Sequence, residues 1–171
     1  MEVIKKVRST LGAYNATDVR ALLQADHQEI RRLAKDLADA TTSPRRRSLL
    51  KQLKPLLVAH SRAEESAVYV PLTELRSSPD SRLAASEGAV EHSLVDVLLG
   101  RMADTEDAST DMWRAHAKVL HESLEHHIKE EESELFEEIG EHFAEDERAA
   151  MGERFARQRD DLMRREIDRM N

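Results

Sequence analysis

The sequence predicts an all-α protein, and three observations support this. Charged residues make up 35% and apolar residues 40% of the 171 residues, with only five glycines and four prolines. A composition rich in Ala, Glu, Arg and Leu is typical of long helices. Apolar residues recur at helical spacing, and the β-branched runs that would indicate strands are almost absent. A chain of this length can form one domain with a sizeable core.

The composition also argues against several classes of protein. Cysteine is absent, which excludes disulfides, thiolate metal sites and cysteine nucleophiles. The net charge of −8 gives no support to nucleic-acid binding. The longest apolar runs are far too short for an integral membrane segment. The basic start, MEVIKKVRSTLGAY, lacks the apolar stretch and cleavage site of a secretory signal, so we expect a cytoplasmic protein.

Capping residues indicate where the first two helices begin and end. The first helix is predicted over residues 17–40, with Thr17 as its N-cap. After the TTSP turn, Ser43 is the expected N-cap of the second helix. Pro44 is its first helical residue, because proline is tolerated where the backbone N–H has no helical partner. This helix should end near Pro71.

Pro55 lies in the interior of the second helix. A proline there removes one backbone hydrogen bond and should kink the helix. Whether this kink helps to shape a site or is merely tolerated stays open at this stage.

The remaining helices follow from the same signals. Ser78 is the expected cap of the third helix and Pro79 its first residue, with an end near Thr105. The fourth helix follows the EDAST turn and covers about 110–142, and a highly charged fifth helix covers 145–169. Short connections favour antiparallel neighbours, so residues 17–142 predict an up-down-up-down four-helix bundle. Residues 1–16 and 143–171 are then an N-terminal segment and a C-terminal charged helix.

Six polar side chains interrupt the apolar stripes of the four helices. Two pairs are spaced four residues apart, so the members of each pair are adjacent on one helix face, about 6 Å apart in height. A rise of about 1.5 Å per residue brings the four histidines to about one level of an antiparallel bundle. His126 points away from the stripe, roughly 140° around the helix from the glutamate five residues later. The six inward residues are His27, His60, Glu64, His92, His127 and Glu131.

This set of residues indicates a metal centre. Four imidazoles and two carboxylates buried without partners are costly. A pair of metal ions removes that cost, because imidazole suits iron and carboxylates can bridge hard cations. The alternative is that these are ordinary core histidines hydrogen-bonded to glutamates. That alternative explains one such histidine better than it explains four. Residues 60–69 align with 127–136, and 26–33 with 91–98, so the ligands should have approximate two-fold symmetry.

The motifs DH, His-x-x-x-Glu-Glu, EH and His-x-x-x-Glu-Glu-x-x-x-Phe follow in this order over residues 17 to about 142. In this the chain resembles the hemerythrin-like, or HHE cation-binding, family; ferritin-like di-iron bundles use Glu-x-x-His instead. The resemblance implies a hemerythrin-like bundle with two iron ions (Fe²⁺/Fe³⁺), joined by an oxo or hydroxo bridge. It implies Glu64 and Glu131 as bridging ligands, and as terminal ligands His27, His60, His92 and His127.

One departure from the family concerns a fifth histidine. Hemerythrins that carry dioxygen have it one turn from the residue matching His92. Here the two candidate positions are Gly88 and Asp96. The site would then have an extra open position, which weakens the case for simple reversible dioxygen carriage.

Several neighbouring residues have two interpretations. Glu65 and Glu132 could orient imidazoles, although solvated helix faces are the favoured interpretation, and Glu132 could replace Glu131 as a bridge. Tyr69 and Phe136 are expected to pack beside the site, with a Tyr69 phenolate ligand as the less favoured alternative. The other histidines are expected at the surface or its boundary: His116, His121, His126 and His142.

The two flanking segments each have an apolar side. Residues 1–14 indicate a short amphipathic helix that docks on the bundle rather than on a membrane surface. The last helix could cover the bundle or form a homodimer, and the sequence does not decide between these. Its thin apolar stripe consists of Met151, Phe155, Leu162 and Met170.

The functional hypothesis is a non-haem di-iron protein that binds or senses dioxygen, nitric oxide, peroxide or iron. A di-iron enzyme that decomposes peroxide or nitric oxide is one alternative. A structural or interaction module whose folding depends on metal is another. Zinc or manganese could occupy the same ligands.

Overall fold

The computed structural model describes residues 17–75 and 78–170. The amphipathic helix expected over residues 1–14 lies outside the described residues. The described part of the chain contains helices and no strand, so the all-α prediction is confirmed.

Within residues 17–75 and 78–170, five helices follow one another, and two of them are interrupted by a π-helical segment. α1 covers Val19–Asp39, α3 covers Pro79–Asp104 and α5 covers Glu145–Arg169. α2 consists of Ser43–Glu64, the π-helical segment Glu65–Tyr69 and the short end piece Val70–Thr73. α4 consists of Asp111–Glu130, the π-helical segment Glu131–Leu135 and Phe136–His142. Helices α1 to α4 form the predicted bundle, with α5 as the additional C-terminal helix.

The caps of the helices agree with the predictions in part. Ser78 caps α3 as predicted, since its hydroxyl accepts a hydrogen bond from the backbone N–H of Ser81. The predicted Thr17 cap is wrong, because the Asp18 carboxylate accepts the hydrogen bond of the first turn of α1. Asp18 also binds Arg148 of α5 at 2.8 Å, a contact between helices that local sequence does not reveal. The start of α2 is one residue earlier than predicted, with Thr42 at the cap.

The two π-helical segments occupy equivalent places in the two halves of the chain. One begins directly after Glu64 and the other begins at Glu131. A π-helical turn contains an extra residue and therefore shifts the register of the side chains that follow it. Such turns are frequent at functional sites.

In the part of the chain that the structure describes, the core consists of two apolar clusters with a polar layer between them. Along α1, Leu23 belongs to one cluster and Ile30 to the other, and His27 lies between the two positions. Along α2, Leu57 and Val68 belong to opposite clusters, on either side of the His60 turn. Pro55 is buried inside α2, and its expected kink stays a prediction.

The C-terminal helix α5 covers the bundle. It packs against α2 and α1, and Met151 and Phe155 are buried there. Gly152 permits this close approach, because a Cβ atom at that position would lie 3.3 Å from Leu22 and would clash with the carbonyl oxygen of Thr17. None of the described helices is both long and apolar enough to cross a membrane.

Candidate metal centre

The structure brings all six predicted site residues together in the polar layer of the bundle. Each of the four bundle helices contributes one histidine, and α2 and α4 each contribute a glutamate one turn further on. None of the six is more than 5% exposed, so any charge among them is removed from water. A buried imidazole or carboxylate needs a hydrogen-bond partner or a bound cation to offset its lost hydration.

All four histidines direct Nε2 towards the two glutamates. Nε2 of His27 and of His127 each lie 3.3 Å from Oε2 of Glu131. On the other side, Nε2 of His60 lies 3.3 Å from Oε2 of Glu64, and Nε2 of His92 lies 3.7 Å from the same oxygen. The atoms that would coordinate a metal therefore converge on one small volume.

The six side chains form two overlapping groups, each with the geometry of a metal site. His27 and His60 form one group with both glutamates, and His92 and His127 form the other with the same two glutamates. Within each group the ligand atoms lie within 4.8 Å of one another. Two cation positions that share both carboxylates are the pattern expected of a carboxylate-bridged metal pair.

Several buried atoms in these groups have no hydrogen-bond partner. They are Nε2 of His27, both carboxylate oxygens of Glu64, and Oε2 of Glu131. A buried carboxylate that lacks hydrogen-bond donors lowers the free energy of unfolding by several kcal/mol, on the order of the cost of removing one ion from water. A pair of divalent cations would supply the missing partners, and imidazole with carboxylate is a donor set that suits iron, zinc or manganese. The residues present therefore fit a metal pair.

A second set of carboxylates holds the outer nitrogen of each imidazole. Nδ1 of His27 lies 3.1 Å from Glu132, and Nδ1 of His60 lies 3.3 Å from Asp26. The remaining two contacts join His92 to Glu65 at 3.1 Å and His127 to Glu91 at 2.6 Å. Because an ionised carboxylate only accepts hydrogen bonds, each Nδ1 carries the proton. This leaves each Nε2 available as a ligand.

These contacts correct one interpretation and add two residues to the site. The favoured interpretation of Glu65 and Glu132 as solvated helix-face residues is wrong, because each binds an imidazole on a neighbouring helix. Asp26 and Glu91 were not singled out, although the sequence contains a signal for them. Each directly precedes a site histidine in the DH and EH motifs and accepts from the histidine of the next helix instead.

Arginines hold three of the four outer carboxylates. Arg31 binds Glu132 at 3.0 Å, and Arg62 binds Glu65 at 2.7 Å. Arg159 of α5 forms an ion pair with Asp26, so the C-terminal helix is linked to the His60 imidazole through one carboxylate. Burial acts to raise the pKa of Glu65, but His92 and Arg62 outweigh it and lower that pKa, so this carboxylate can accept from Nδ1 of His92.

The charges among the six side chains perturb the pKa values of several of them. Burial alone lowers the pKa of His60, but the Asp26 and Glu64 carboxylates outweigh it and raise that pKa to about 10. For His127, burial also acts to lower the pKa, and Glu131 and Glu91 raise it overall. Burial acts to raise the pKa of Glu131, yet the neighbouring histidines hold it well below its usual range. The neighbouring carboxylates thus favour the protonated form of the His60 and His127 imidazoles.

Comparison with protein families agrees with this geometry. The sequence model of one protein family, the hemerythrin HHE cation-binding domain, matches residues 18–139. The chain belongs to this hemerythrin family. The matched span covers most of the chain and contains all six residues of the candidate centre and the four outer carboxylates. There is no significant match among curated proteins or among solved structures.

Gly88 and Asp96 are the two positions that could match the fifth histidine of dioxygen-carrying hemerythrins. Their surroundings differ. Asp96 is partly exposed and pairs with Arg62. Gly88 is buried, and a Cβ atom there would lie 2.7 Å from Cζ of Tyr69. The Tyr69 ring therefore fills the space beside Gly88.

Tyr69 and Phe136 pack beside the candidate centre, as expected. The Tyr69 hydroxyl donates to Oε1 of Glu131, and its ring stacks on His92 with centroids 5.4 Å apart. Burial raises the pKa of this phenol well above its ordinary value, so the hydroxyl keeps its proton. Phe136 stacks on His27 with centroids 6.3 Å apart.

The histidines expected outside the centre do lie outside it. The His126 side chain is 63% exposed and pairs with Glu130 at 3.2 Å. The other three are half-buried, away from the six residues: His116, His121 and His142.

Proposed function

We propose that this chain is a non-haem di-iron protein. Its centre binds or senses a small ligand, namely dioxygen, nitric oxide or peroxide, or it senses the availability of iron. The observation that carries the proposal is the sharing of Glu64 and Glu131 by two groups of metal-ligating side chains. Membership of a cation-binding family supports it. The proposed domain for this function covers residues 17–142, with α5 as a cover.

The proposed role of each residue follows from the group in which it lies. His27 and His60 would hold one iron ion, and His92 and His127 the other. Glu64 and Glu131 would bridge the two ions and neutralise part of their charge. Once bound, the iron pair would supply redox chemistry and a coordination position for the small ligand.

The surrounding residues support such a centre in three ways. The outer carboxylates fix the orientation and tautomer of each imidazole. The apolar clusters above and below the polar layer limit the access of water. The Tyr69 hydroxyl, on Glu131, places a hydrogen-bond donor beside one proposed bridge.

We favour binding or sensing over enzymatic turnover. Among the described residues, the carboxylates and imidazoles nearest the proposed irons are each assigned to coordination or to orienting a ligand. None of them is left as a separate general acid or base. Decomposition of peroxide or nitric oxide at the same irons is the enzymatic alternative.

A metal-dependent structural module is a second candidate, supported by the contacts of α5. Phe155 of that helix packs edge-on against His60, with ring centroids 5.7 Å apart, and Arg159 binds Asp26. Metal occupancy at His60 would then affect the docking of α5. A homodimer through α5 would have to use its outer face, because Met151 and Phe155 are buried. The cytoplasm is the proposed compartment.

Metal analysis of protein expressed in iron-supplemented cells tests the proposal. We expect two irons per chain and, after oxidation, the absorption band of an oxo-bridged pair. His27→Ala should lower the iron content, whereas His142→Ala, outside the centre, should not. Stoichiometric uptake of nitric oxide or peroxide indicates binding, and repeated consumption indicates an enzyme. Iron-free protein with a spectrum unaffected by His27→Ala would contradict the proposal.

A further inference from the structure

The outer side of α3 carries a large share of the exposed apolar surface. Among the described residues, eight large apolar side chains are exposed, and four of them lie on this one helix. Each of the four is more than half exposed, whereas α1 has none of the eight. The four residues are Leu83, Val90, Leu94 and Val97.

These four side chains form one stripe that points away from the bundle. Leu83, Val90 and Val97 are spaced seven residues apart, so they lie nearly in line along the helix, with Leu94 beside them. Val90 and Leu94 are each two residues from His92, which places them roughly 160° around the helix from it. Neither the packing of the bundle nor the metal centre therefore requires the stripe. Contiguous exposed apolar side chains mark a surface that contacts a partner.

Two exposed serines next to the stripe have their hydroxyl groups satisfied within α3. The Ser86 hydroxyl donates to the carbonyl oxygen of Arg82 at 2.7 Å, and the Ser93 hydroxyl donates to that of Ala89 at 3.0 Å. Covering these hydroxyls costs little, because their hydrogen bonds are kept. The small serine side chains also leave room for a second helix, since the distance between packed helices depends on the side chains at the contact.

Charges of opposite sign lie at the two ends of this surface. Glu87 precedes Leu94 by seven residues and Arg101 follows it by seven, so each is about 10 Å from Leu94 along the helix. Both charged side chains are exposed, and neither has an ion-pair partner within residues 17–75 and 78–170. The surface therefore reads acidic, apolar and basic in the direction of the chain.

This pattern is complementary to a second copy of itself in the antiparallel direction. In an antiparallel pair of α3 helices centred on Leu94, Val90 of each copy lies near Val97 of the other, and Glu87 lies near Arg101. A two-fold axis repeats each contact, so ion pairs form on both sides of the apolar centre. A parallel pair in register would instead place Glu87 against Glu87 and Arg101 against Arg101, and like charges repel.

We propose that the α3 stripe is the contact surface of a homodimer in which the two α3 helices pack antiparallel about Leu94. The interface is small, so it belongs to the weaker class of complexes, with a dissociation constant of about 10 µM. Because the stripe lies on the opposite side of α3 from His92, the dimer is independent of the proposed iron function and can be tested without it.

Sedimentation velocity of the full chain over about 1–100 µM provides the first test. We expect the wild type to change from monomer to dimer over this range. Leu94→Glu places two like charges at the two-fold axis and should raise the dissociation constant by about 100-fold, as loss of a central contact does. Met170→Glu is the matched control, because it places the same charge at an exposed residue directly after α5. Its dissociation constant should equal that of the wild type.

A charge exchange tests the antiparallel arrangement. Glu87→Arg sets two arginines against each other at both ends of the interface and should weaken the dimer by about tenfold at low ionic strength. Adding Arg101→Glu restores both ion pairs in reverse, so the dissociation constant should return to within about threefold of the wild type. Both changes are at exposed positions and leave the core intact. A double variant no tighter than Glu87→Arg alone would overturn the antiparallel pairing.

Two results would overturn the homodimer itself. One is a wild type that stays monomeric up to about 100 µM. A lower free energy of unfolding in monomeric Leu94→Glu would then assign the stripe to residues 1–16 of the same chain, whose apolar residues are Val3, Ile4, Val7 and Leu11. The other is a dimer that Leu94→Glu leaves unchanged and Met170→Glu disrupts, which would place the contact at α5.

Discussion

Glu132 accepts a hydrogen bond at 3.1 Å from Nδ1 of His27, which lies 105 residues earlier in the chain. Glu65 makes the related contact with His92, also at 3.1 Å. Each of these glutamates directly follows a carboxylate of the candidate centre, so one turn of helix both contributes to the centre and orients an imidazole of another helix. The two helical hairpins are joined at the site by these contacts.

Replacement of Glu132 should weaken metal binding without removing a proposed ligand. Glu132→Gln exchanges a charged acceptor for a neutral one on His27. It also removes the closer ion pair of Arg31, at 3.0 Å, and leaves the one with Glu125 at 3.7 Å. We expect metal affinity to fall by about 10- to 100-fold, the usual effect of losing such an orienting group. Competition with a chelator of known affinity measures it. Glu137→Gln, an exposed change five residues further along, should have no effect, and equal affinities for the two variants would contradict the orienting role.

Metal binding should release protons, and affinity should rise with pH. In the metal-free protein the pKa of His60 is raised to about 10, so its imidazole is protonated at pH 7. The metal must displace that proton from Nε2. Because protons compete less as the pH rises towards about 10, the apparent affinity should increase over this range. Calorimetry in two buffers with different heats of ionisation checks this, and identical heats in both buffers would show that no proton is released.

Phe155 should be a principal contact that holds α5 on the bundle. The side chain is fully buried and packs against His60, so Phe155→Ala leaves a cavity beside the centre. We expect the free energy of unfolding to fall by about 3–5 kcal/mol, as for other buried aromatic residues. Urea denaturation provides the measurement, and Met170→Ala, at the exposed residue directly after that helix, is the control. A loss for Phe155→Ala no larger than that for the control would mean that α5 is not held by this contact.

Gly88 and Tyr69 should behave as a coupled pair. A methyl group at position 88 would meet the Tyr69 ring, so Gly88→Ala should destabilise the protein by about 1–3 kcal/mol through overpacking. In a Tyr69→Leu background the same change should cost much less, because the ring is gone. A double-mutant cycle on the free energy of unfolding measures the coupling. Additive effects would show that the ring does not fill the space beside Gly88.

The sequence predicts the helices well where the signals are local. Ser78 and Pro79 mark the start of α3, and α5 has the predicted bounds. The cap of α1 is missed because Thr17 and Asp18 are both good capping residues, and Asp18 alone also reaches Arg148 of another helix. The π-helical segments are missed because one extra residue in a turn leaves no mark in an apolar pattern that continues on both sides.

The residues of the candidate site also fall into those that local sequence predicts and those that depend on contacts between helices. His60 with Glu64, and His127 with Glu131, are recognisable because residues four apart share a helix face. The role of Asp26 depends on the position of His60 across a helix interface, which spacing along one helix does not specify. The same is true of α5, whose apolar stripe fits either a cover or a dimer until Phe155 is seen against His60.

The central claim is that two metal ions share Glu64 and Glu131. Anomalous diffraction at the iron edge, from crystals of the iron-loaded protein, tests it most directly. The account predicts two peaks in the polar layer, one beside His27 and His60 and one beside His92 and His127, both in contact with the two glutamates. A single peak, or iron bound only at the surface, would contradict it.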